Sequence, residues 1–180
     1  MSVLPPVVWV GNPAVPDRRP LRRNLLLPVA NRPHLSMYAK PLGGLWTSPL
    51  RTDGRYESGW IEWCWENEVI HWLGDAWVLR PTEARVFTIH DEVDLRSLHK
   101  RFGGWDQRAT YAEPFIDWPA VGREYDAVHL TEHGQWATRM TNPFTLYGWD
   151  CETVFWFRWR FSSHHRLPEP SERIVREMRG

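Results

Sequence analysis

The chain has 180 residues, with 22 basic and 22 acidic side chains, 42% hydrophobic residues, 15 Pro and 13 Trp. A chain of this length forms one domain whose core is large enough to fold without disulfides or a structural metal. Zero formal net charge argues against a duplex-DNA binder and against a polybasic membrane anchor. No apolar run approaches the roughly 20 residues that a membrane span requires.

The two cysteines and the scarce lysines indicate the compartment. Cys64 and Cys151 each lie near tryptophan, where a buried free thiol is favoured over a disulfide, which stays an open alternative. The amino-terminal residues lack the pattern of a secretory signal, so we expect a cytoplasmic protein. Only Lys40 and Lys100 are lysines among the 22 basic residues. That bias is typical of GC-rich coding sequences, as in actinobacteria and their viruses, and a viral protein would act in the host cytoplasm.

Residues 1–33 contain seven prolines and an arginine cluster between residues 18 and 23. Such a segment cannot sustain a helix, and it predicts a Pro/Arg-rich extended arm, solvated rather than bound to a phosphate backbone. We expect a single catalytic-like domain over residues 34–165 and a carboxy-terminal tail or helix over 166–180.

The element pattern within the domain is that of an α+β fold. Alternating or apolar segments predict strands at 34–40, 77–80, 85–89, 125–130 and 153–157, and a short strand or a loop at 45–48. The Gly43-Gly44 pair predicts a turn after the first strand. Ser58, Asp91 and Asp117 are the expected N-caps of three helices, the first running to Trp72. The strands and helices do not alternate regularly, so a doubly wound sheet is not expected.

Several common sites are excluded by motif. The sequence has no P-loop, no dinucleotide-binding glycine pattern and no nucleophile elbow. His129 and His133 are four residues apart on or after a strand, where such residues lie about 13 Å apart. Together with His164 and His165 they are a weak metal motif, and ordinary surface histidines are favoured.

The tryptophans divide into two groups. Most are expected to pack in the core, because an indole has a large apolar body. Trp46 and Trp149 are different, since each lies beside glycines where a side chain can face a cleft. Asp150 and Glu152 follow at the entrance to an apolar strand, and at this spacing on extended backbone both project to one side. A merely solvated strand end is the alternative.

These segments together resemble a small ADP-ribosyltransferase of the toxin and poly-ADP-ribosyl-transferase fold, of the kind found in phages and bacteria. Leu45-Trp46-Thr47-Ser48, followed by a helix, resembles the serine motif of that family. Asp150-Cys151-Glu152 before an apolar strand resembles the acidic motif that precedes the family's last catalytic strand. The likeness covers residues 34 to about 161, and it implies a split mixed or antiparallel sheet with short helices.

The resemblance also implies the site. It implies transfer of ADP-ribose from NAD, used as a substrate without any metal, to a host protein or nucleic acid. Glu152 would offset the charge of an oxocarbenium-like ribose, with Ser48 orienting it and Lys40 contacting the cofactor. The expected cofactor-binding residues are Tyr38, Trp46, Thr47, Trp149 and Asp150.

Two other functions stay open. The chain could be a non-enzymatic, tryptophan-rich interaction protein that binds and inhibits a host factor. It could also bind single-stranded nucleic acid through arginine and tryptophan, although the neutral charge balance argues against this. The transferase hypothesis gains support if Trp46, Ser48 and Glu152 lie within one pocket, and it fails if Glu152 points away from Ser48.

Overall fold

The structure is a computed structural model that describes residues 1–11, 26–31, 40–52, 56–106 and 113–167. These residues form a mixed eight-stranded sheet, a two-stranded sheet and four short helices. The predicted α+β class is therefore confirmed. The predicted residues 34–39 of the first strand, and residues 168–180 of the tail, lie outside the described part of the chain.

The large sheet combines strands that are distant in sequence. Its strands are β1 (Val7–Val10), β2 (Leu27–Ala30), β3 (Leu42–Pro49), β4 (Ala76–Pro81), β5 (Val86–Ile89), β8 (Ala127–Leu130), β9 (Thr153–Trp156) and β10 (Phe161–Arg166). They are ordered β10-β4-β1-β3-β9-β8-β5, with β2 also paired to β3. Among the described strands of this sheet, only β5 and β8 pair in parallel, and the other pairs are antiparallel. A separate hairpin joins β6 (Gly103–Asp106) and β7 (Glu113–Ile116).

The helices begin at the residues that the sequence predicted. The helices are α1 (Gly59–Glu66), α2 (Glu92–Phe102), α3 (Trp118–Glu124) and α4 (Glu132–Thr138). Ser58, Asp91 and Asp117 each accept a hydrogen bond from a backbone N–H of the first turn, which satisfies a donor that the helix leaves unpaired. The fourth helix, with Thr131 as its N-cap, was not predicted. No helix within the described ranges is long and apolar enough to cross a membrane.

The first helix is shorter than predicted. It ends at Glu66, and residues Ile70–Trp72 form a separate 3-10 turn. Glu68 between them has a positive φ of 58°, a conformation that cannot continue a right-handed helix. Trp72 is consequently displaced from the helix axis, and it lines the pocket described below.

The glycine pair also behaves differently from the prediction. Gly43 and Gly44 lie inside β3 rather than in a turn that ends a strand, with φ of 73° and 62°. A Cβ on Gly44 would lie 2.2 Å from the ring of Phe155. The glycines therefore let this part of β3 approach the neighbouring strand closely.

The amino-terminal segment contributes to the sheet. Val7–Val10 is an inner strand between β3 and β4, and Leu27–Ala30 pairs with β3. The boundary predicted at residue 33 therefore does not hold for these residues, which belong to the domain instead of to an arm. The valine-rich run of β1 has the β propensity of an inner strand, although the flanking prolines obscured it. Residues 12–25 lie outside the described part of the chain.

The sheet buries a different cluster on each of its faces. Register places Trp46 opposite Phe155 and Thr47 opposite Val154, so alternation puts these two pairs on opposite faces. The Phe155 face packs against two clusters, one around α2 and α3 and one around α1. The Val154 face carries a third cluster, which includes Val7, Leu45 and Trp156 and no residue of the four helices.

Candidate functional site

A cavity of about 410 Å³ opens on the face of the sheet that carries Trp46, at the junction of the α1 cluster and the α2–α3 cluster. Its volume is within the range of small-molecule sites. The residues that line it are Val8, Val10, Gly11, Lys40, Pro41, Trp46, Thr47, Ser48, Trp60, Trp72, Trp149, Asp150, Cys151 and Thr153. Six of the eight predicted site residues are therefore brought together: Lys40, Trp46, Thr47, Ser48, Trp149 and Asp150.

Lys40 and Asp150 supply the charges of this pocket. The Nζ of Lys40 donates a hydrogen bond of 3.1 Å to Oδ2 of Asp150. The same ammonium lies 5.7 Å from the centre of the Trp46 ring, within the range of a cation–π contact. Both side chains are partly exposed, at 30% for Lys40 and 21% for Asp150. The Lys40 ammonium therefore contacts both Asp150 and Trp46, and the ion pair remains accessible from the pocket.

Indole rings form the apolar walls. Trp46 contacts Trp149 edge to face, with ring centres 4.8 Å apart, and Phe155 fixes the position of Trp46 from the other side at 4.7 Å. Across the pocket, Trp60 stacks with Trp72 at 6.5 Å. These edge-to-face and stacked contacts hold the rings in defined orientations. Trp46 and Trp149, predicted to face a cleft, are both among the lining residues, and the Trp149 side chain is fully buried.

Trp149 has an unusual donor. Its side chain is fully buried, and within the described residues its indole Nε1 has no hydrogen-bond partner. An unpaired buried donor costs about 1–3 kcal/mol, and such groups in folded proteins are few. The unpaired N–H of Trp149 is therefore a local energetic cost that the surrounding packing offsets.

Thr47 and Ser48 have internal roles. Thr47 Oγ1 donates to the carbonyl oxygen of Val154 at 2.9 Å and accepts from the indole N–H of Trp156 at 3.0 Å. Ser48 Oγ donates to the carbonyl oxygen of Glu152 at 2.8 Å. Both hydroxyls are buried, and their hydrogen bonds fasten β3 to the segment that carries Asp150 and Glu152. This arrangement fixes the relative position of the two predicted motifs.

Glu152 does not join the other predicted site residues in the pocket lining. Its Oε1 lies 2.8 Å from Nε2 of His129, and His129 is the register partner of Val154. Because Val154 and Phe155 face opposite sides, the His129–Glu152 pair lies on the face opposite Trp46. Only the backbone carbonyl of Glu152 contacts Ser48. The structure therefore places the Glu152 carboxylate outside the pocket, so the condition set for a transferase that uses Glu152 is not met. Asp150 is the carboxylate inside the pocket.

Neither cysteine is activated as a nucleophile. Burial raises the pKa of the Cys151 thiol to about 12, and burial likewise raises the pKa of Cys64 to about 12, with the neighbouring Cys151 adding to the effect. Both thiols are free and are protonated at neutral pH, since the thiolate forms only near the pKa. Cys151 therefore contributes a small, weakly polar surface to the pocket.

Among the described histidines, His129 and His133 contact different partners. His133 bonds through Nδ1 to the carbonyl oxygen of His90 at 2.7 Å and stacks on the His90 ring, whereas His129 is paired with Glu152. Within the described ranges, no group of three or more His, Cys, Asp or Glu side chains is arranged to hold a metal ion. The four-residue spacing of His129 and His133 thus places the two imidazoles against different partners.

One predicted cofactor-binding residue, Tyr38, lies outside the described residues. Other residues of this region were not indicated by the sequence. Trp60 and Trp72 line the pocket but were assigned to helix packing, because their spacing is typical of a core stripe. His129 was considered as a weak metal ligand or an ordinary surface histidine, and its pairing with Glu152 depends on the β8–β9 register, which the sequence does not reveal.

Comparison with known proteins gave no relatives. No protein family, no curated protein and no solved structure matched this chain. The function is therefore inferred from the residues of the pocket.

Proposed function

We propose that the chain is an enzyme that transfers ADP-ribose from NAD to a macromolecular acceptor. The observation that carries the proposal is convergence: two segments about 100 residues apart, 40–48 and 149–150, meet around one cavity. These are the segments on which the resemblance to ADP-ribosyltransferases was based. An ADP-ribosyltransferase-like split of the mixed sheet is part of the same proposal.

The reaction is a nucleophilic substitution at the anomeric carbon of the nicotinamide ribose. The bond between C1′ and the ring nitrogen breaks, and nicotinamide leaves with the electron pair. An oxygen or nitrogen of the acceptor forms the new bond to C1′ and loses its proton to solvent or to a nearby base. The charge that develops on the ribose is oxocarbenium-like, and a carboxylate in a partly dehydrated pocket stabilises such a charge.

Asp150 is the carboxylate that we assign to this role. Its position in the pocket supports the assignment, since Glu152 is paired with His129 on the other face. Trp46 provides a surface on which the nicotinamide ring packs, and Trp60 and Trp72 add further aromatic lining. Glu152, which the resemblance implies as the catalytic residue, positions the Asp150 segment through its carbonyl contact with Ser48.

The test uses NAD labelled in its adenylate phosphate and a cell lysate as the source of acceptors. We expect label on protein or on nucleic acid with the unmodified chain. Asp150→Asn should transfer about 100-fold less label. Glu152→Gln should retain most of the transfer. If Glu152→Gln abolishes transfer and Asp150→Asn does not, the carboxylate assignment is wrong and the family role of Glu152 is restored.

A matched control removes a charge elsewhere. Lys100 lies on the exposed side of α2, so Lys100→Met should leave transfer unchanged. No transfer and no release of nicotinamide by the unmodified chain, with folding intact, would overturn the enzymatic proposal. Label on protein and label on nucleic acid identify the two possible acceptor classes.

A second candidate is a non-enzymatic interaction protein that binds and inhibits a host factor. The observation that favours it is the exposure of large aromatic side chains, with Trp136 at 72%, Trp72 at 47% and Trp105 at 45%. Aromatic side chains are enriched at the centres of protein interfaces. Trp136→Ala should weaken such a complex while leaving NAD turnover unaffected, so the two candidates are separable.

A further inference from the structure

Lys40 occupies the position that an organic cation would take in this pocket. Its ammonium is paired with the carboxylate of Asp150 at 3.1 Å and faces the Trp46 ring at 5.7 Å. A carboxylate beside an indole face is the chemical arrangement that attracts a ligand cation. The Lys40 side chain therefore occupies a site whose chemistry suits a bound organic cation.

The remaining walls fit such a ligand in shape and charge. Four of the lining residues are tryptophans: Trp46, Trp60, Trp72 and Trp149. Among the lining residues, Asp150 is the single carboxylate and Lys40 the single cation. A flat cation with an apolar ring gains contact with the indoles and offsets the Asp150 charge. A neutral ring gains only the contact.

Lys40 can leave this position at modest cost. Its side chain is 30% exposed, and the ammonium is a strongly hydrated point charge on a flexible stem. Partly exposed ion pairs contribute little to stability. Displacement into water is therefore a small penalty, whereas an N-alkylated cation is more weakly hydrated and gains more from the aromatic wall.

We propose that this pocket is a subsite for an N-alkylated organic cation of the size of a pyridinium ring, and that Lys40 is the resident cation that the ligand displaces. The inference deepens the proposed function, on which its place in a reaction rests, by naming the charge of the group bound and a competitor for its site. A cofactor contact by Lys40 would raise the affinity for the ligand. As the resident cation, Lys40 instead lowers the affinity for a cation.

The experiment measures the dissociation constant of N-methylpyridinium by calorimetry or by ligand-observed NMR. Removal of the resident cation in Lys40→Met should tighten binding about 10-fold, and loss of the carboxylate in Asp150→Asn should weaken it about 10-fold. Lys100→Met is the matched control, because it removes the other lysine of the chain from an exposed helix face. It should bind as the unmodified protein does.

The neutral analogue 4-methylpyridine at pH 8 separates charge from shape. Its affinity should change by less than about twofold among these variants, because it lacks the charge that Lys40 and Asp150 act on. Unchanged or weaker N-methylpyridinium binding by Lys40→Met would overturn the inference, as would a neutral analogue that follows the cation. Lys40→Gln, which keeps a polar side chain, repeats the measurement if Lys40→Met unfolds.

The two proposals fail in different ways. If the pyridinium results are as expected but NAD is not processed, the cation subsite stands and the transferase proposal fails. If ADP-ribose is transferred but Lys40→Met gains no affinity for the cation, only the subsite inference fails.

Discussion

Ser48 Oγ donates a hydrogen bond of 2.8 Å to the carbonyl oxygen of Glu152. The bond extends the β3–β9 pairing beyond its last register pair, Thr47 with Val154. Ser48 is only 2% exposed, so water cannot replace it as the donor. Together with Thr47 and the β3–β9 ladder, this hydroxyl holds the two segments that supply the pocket at a fixed distance.

Ser48→Ala should lower the free energy of unfolding by about 1–3 kcal/mol, because it leaves the Glu152 carbonyl without its donor. Urea unfolding at pH 7 measures the change. Ser162→Ala is the control: Ser162 also donates to a carbonyl, that of Arg80 at 3.3 Å, but at an exposed position. Equal losses in the two variants would contradict the role given to Ser48.

Gly44→Ala should be more damaging than its size suggests. The residue has a φ of 62°, and a Cβ there would lie 2.2 Å from the Phe155 ring and 3.0 Å from a backbone oxygen. We expect a loss of at least about 3 kcal/mol, measured by thermal or urea unfolding.

The matched control for that substitution is Gly59→Ala at the first position of α1. A Cβ at Gly59 meets its nearest atom at 3.4 Å, and alanine is the better helix former, so stability should change by less than about 1 kcal/mol. A tolerated Gly44→Ala would show that β3 does not require its close approach to Phe155.

Asp126 should make stability depend on acid pH. It is buried, and although burial raises its pKa, the backbone N–H of Arg85 and the guanidinium groups of Arg160 and Arg158 outweigh this and lower the pKa. A carboxyl whose folded pKa lies below its unfolded value, about 3.9, adds stability above that unfolded value. The contribution is lost as pH falls through the folded pKa.

Asp126→Asn should therefore be about 3 kcal/mol less stable than the unmodified protein at pH 7. The difference between the two proteins should shrink as the pH falls below about 4. Unfolding curves at several pH values measure it. Asp75→Asn is the control, since Asp75 is 21% exposed and pairs with Arg166 at the surface, where a loss below about 1 kcal/mol is expected. A pH-independent difference would contradict the linkage.

The thiols of Cys64 and Cys151 should resist alkylation in the folded protein. Burial raises the pKa of both to about 12, so the reactive thiolate is scarce at pH 8. Iodoacetamide followed by mass spectrometry should label both cysteines in urea and neither, within the same time, in buffer. Rapid labelling of Cys151 in buffer would mean that its sulfur is accessible and ionised.

Local signals predicted three of the four helices and five of the ten strands within the described residues. Ser58, Asp91 and Asp117 cap helices because a short side-chain oxygen reaches the first-turn amides wherever the chain enters a helix. Such interactions span a few residues and are readable from sequence. The predicted end of α1 at Trp72 was wrong, because the positive φ of Glu68 depends on the packing around it.

The site was predictable only in part. Trp46 and Trp149 were predicted to face a cleft from their neighbouring glycines, and both line the pocket. The position of Glu152 was not predictable, because two-residue spacing places Asp150 and Glu152 on one side only in extended backbone. Residues 151–152 are bends instead, and the register with β8 gives Glu152 a histidine partner.

The placement of β1 between β3 and β4 imposes an order on synthesis. Residues 7–10 leave the ribosome first, yet their partners end at residues 49 and 81. At about 5–20 residues per second, this valine-rich segment waits several seconds for its second neighbour. During that interval both of its edges can pair with another nascent chain. Yield during expression should therefore fall when translation is slow and rise when chaperones shield the segment.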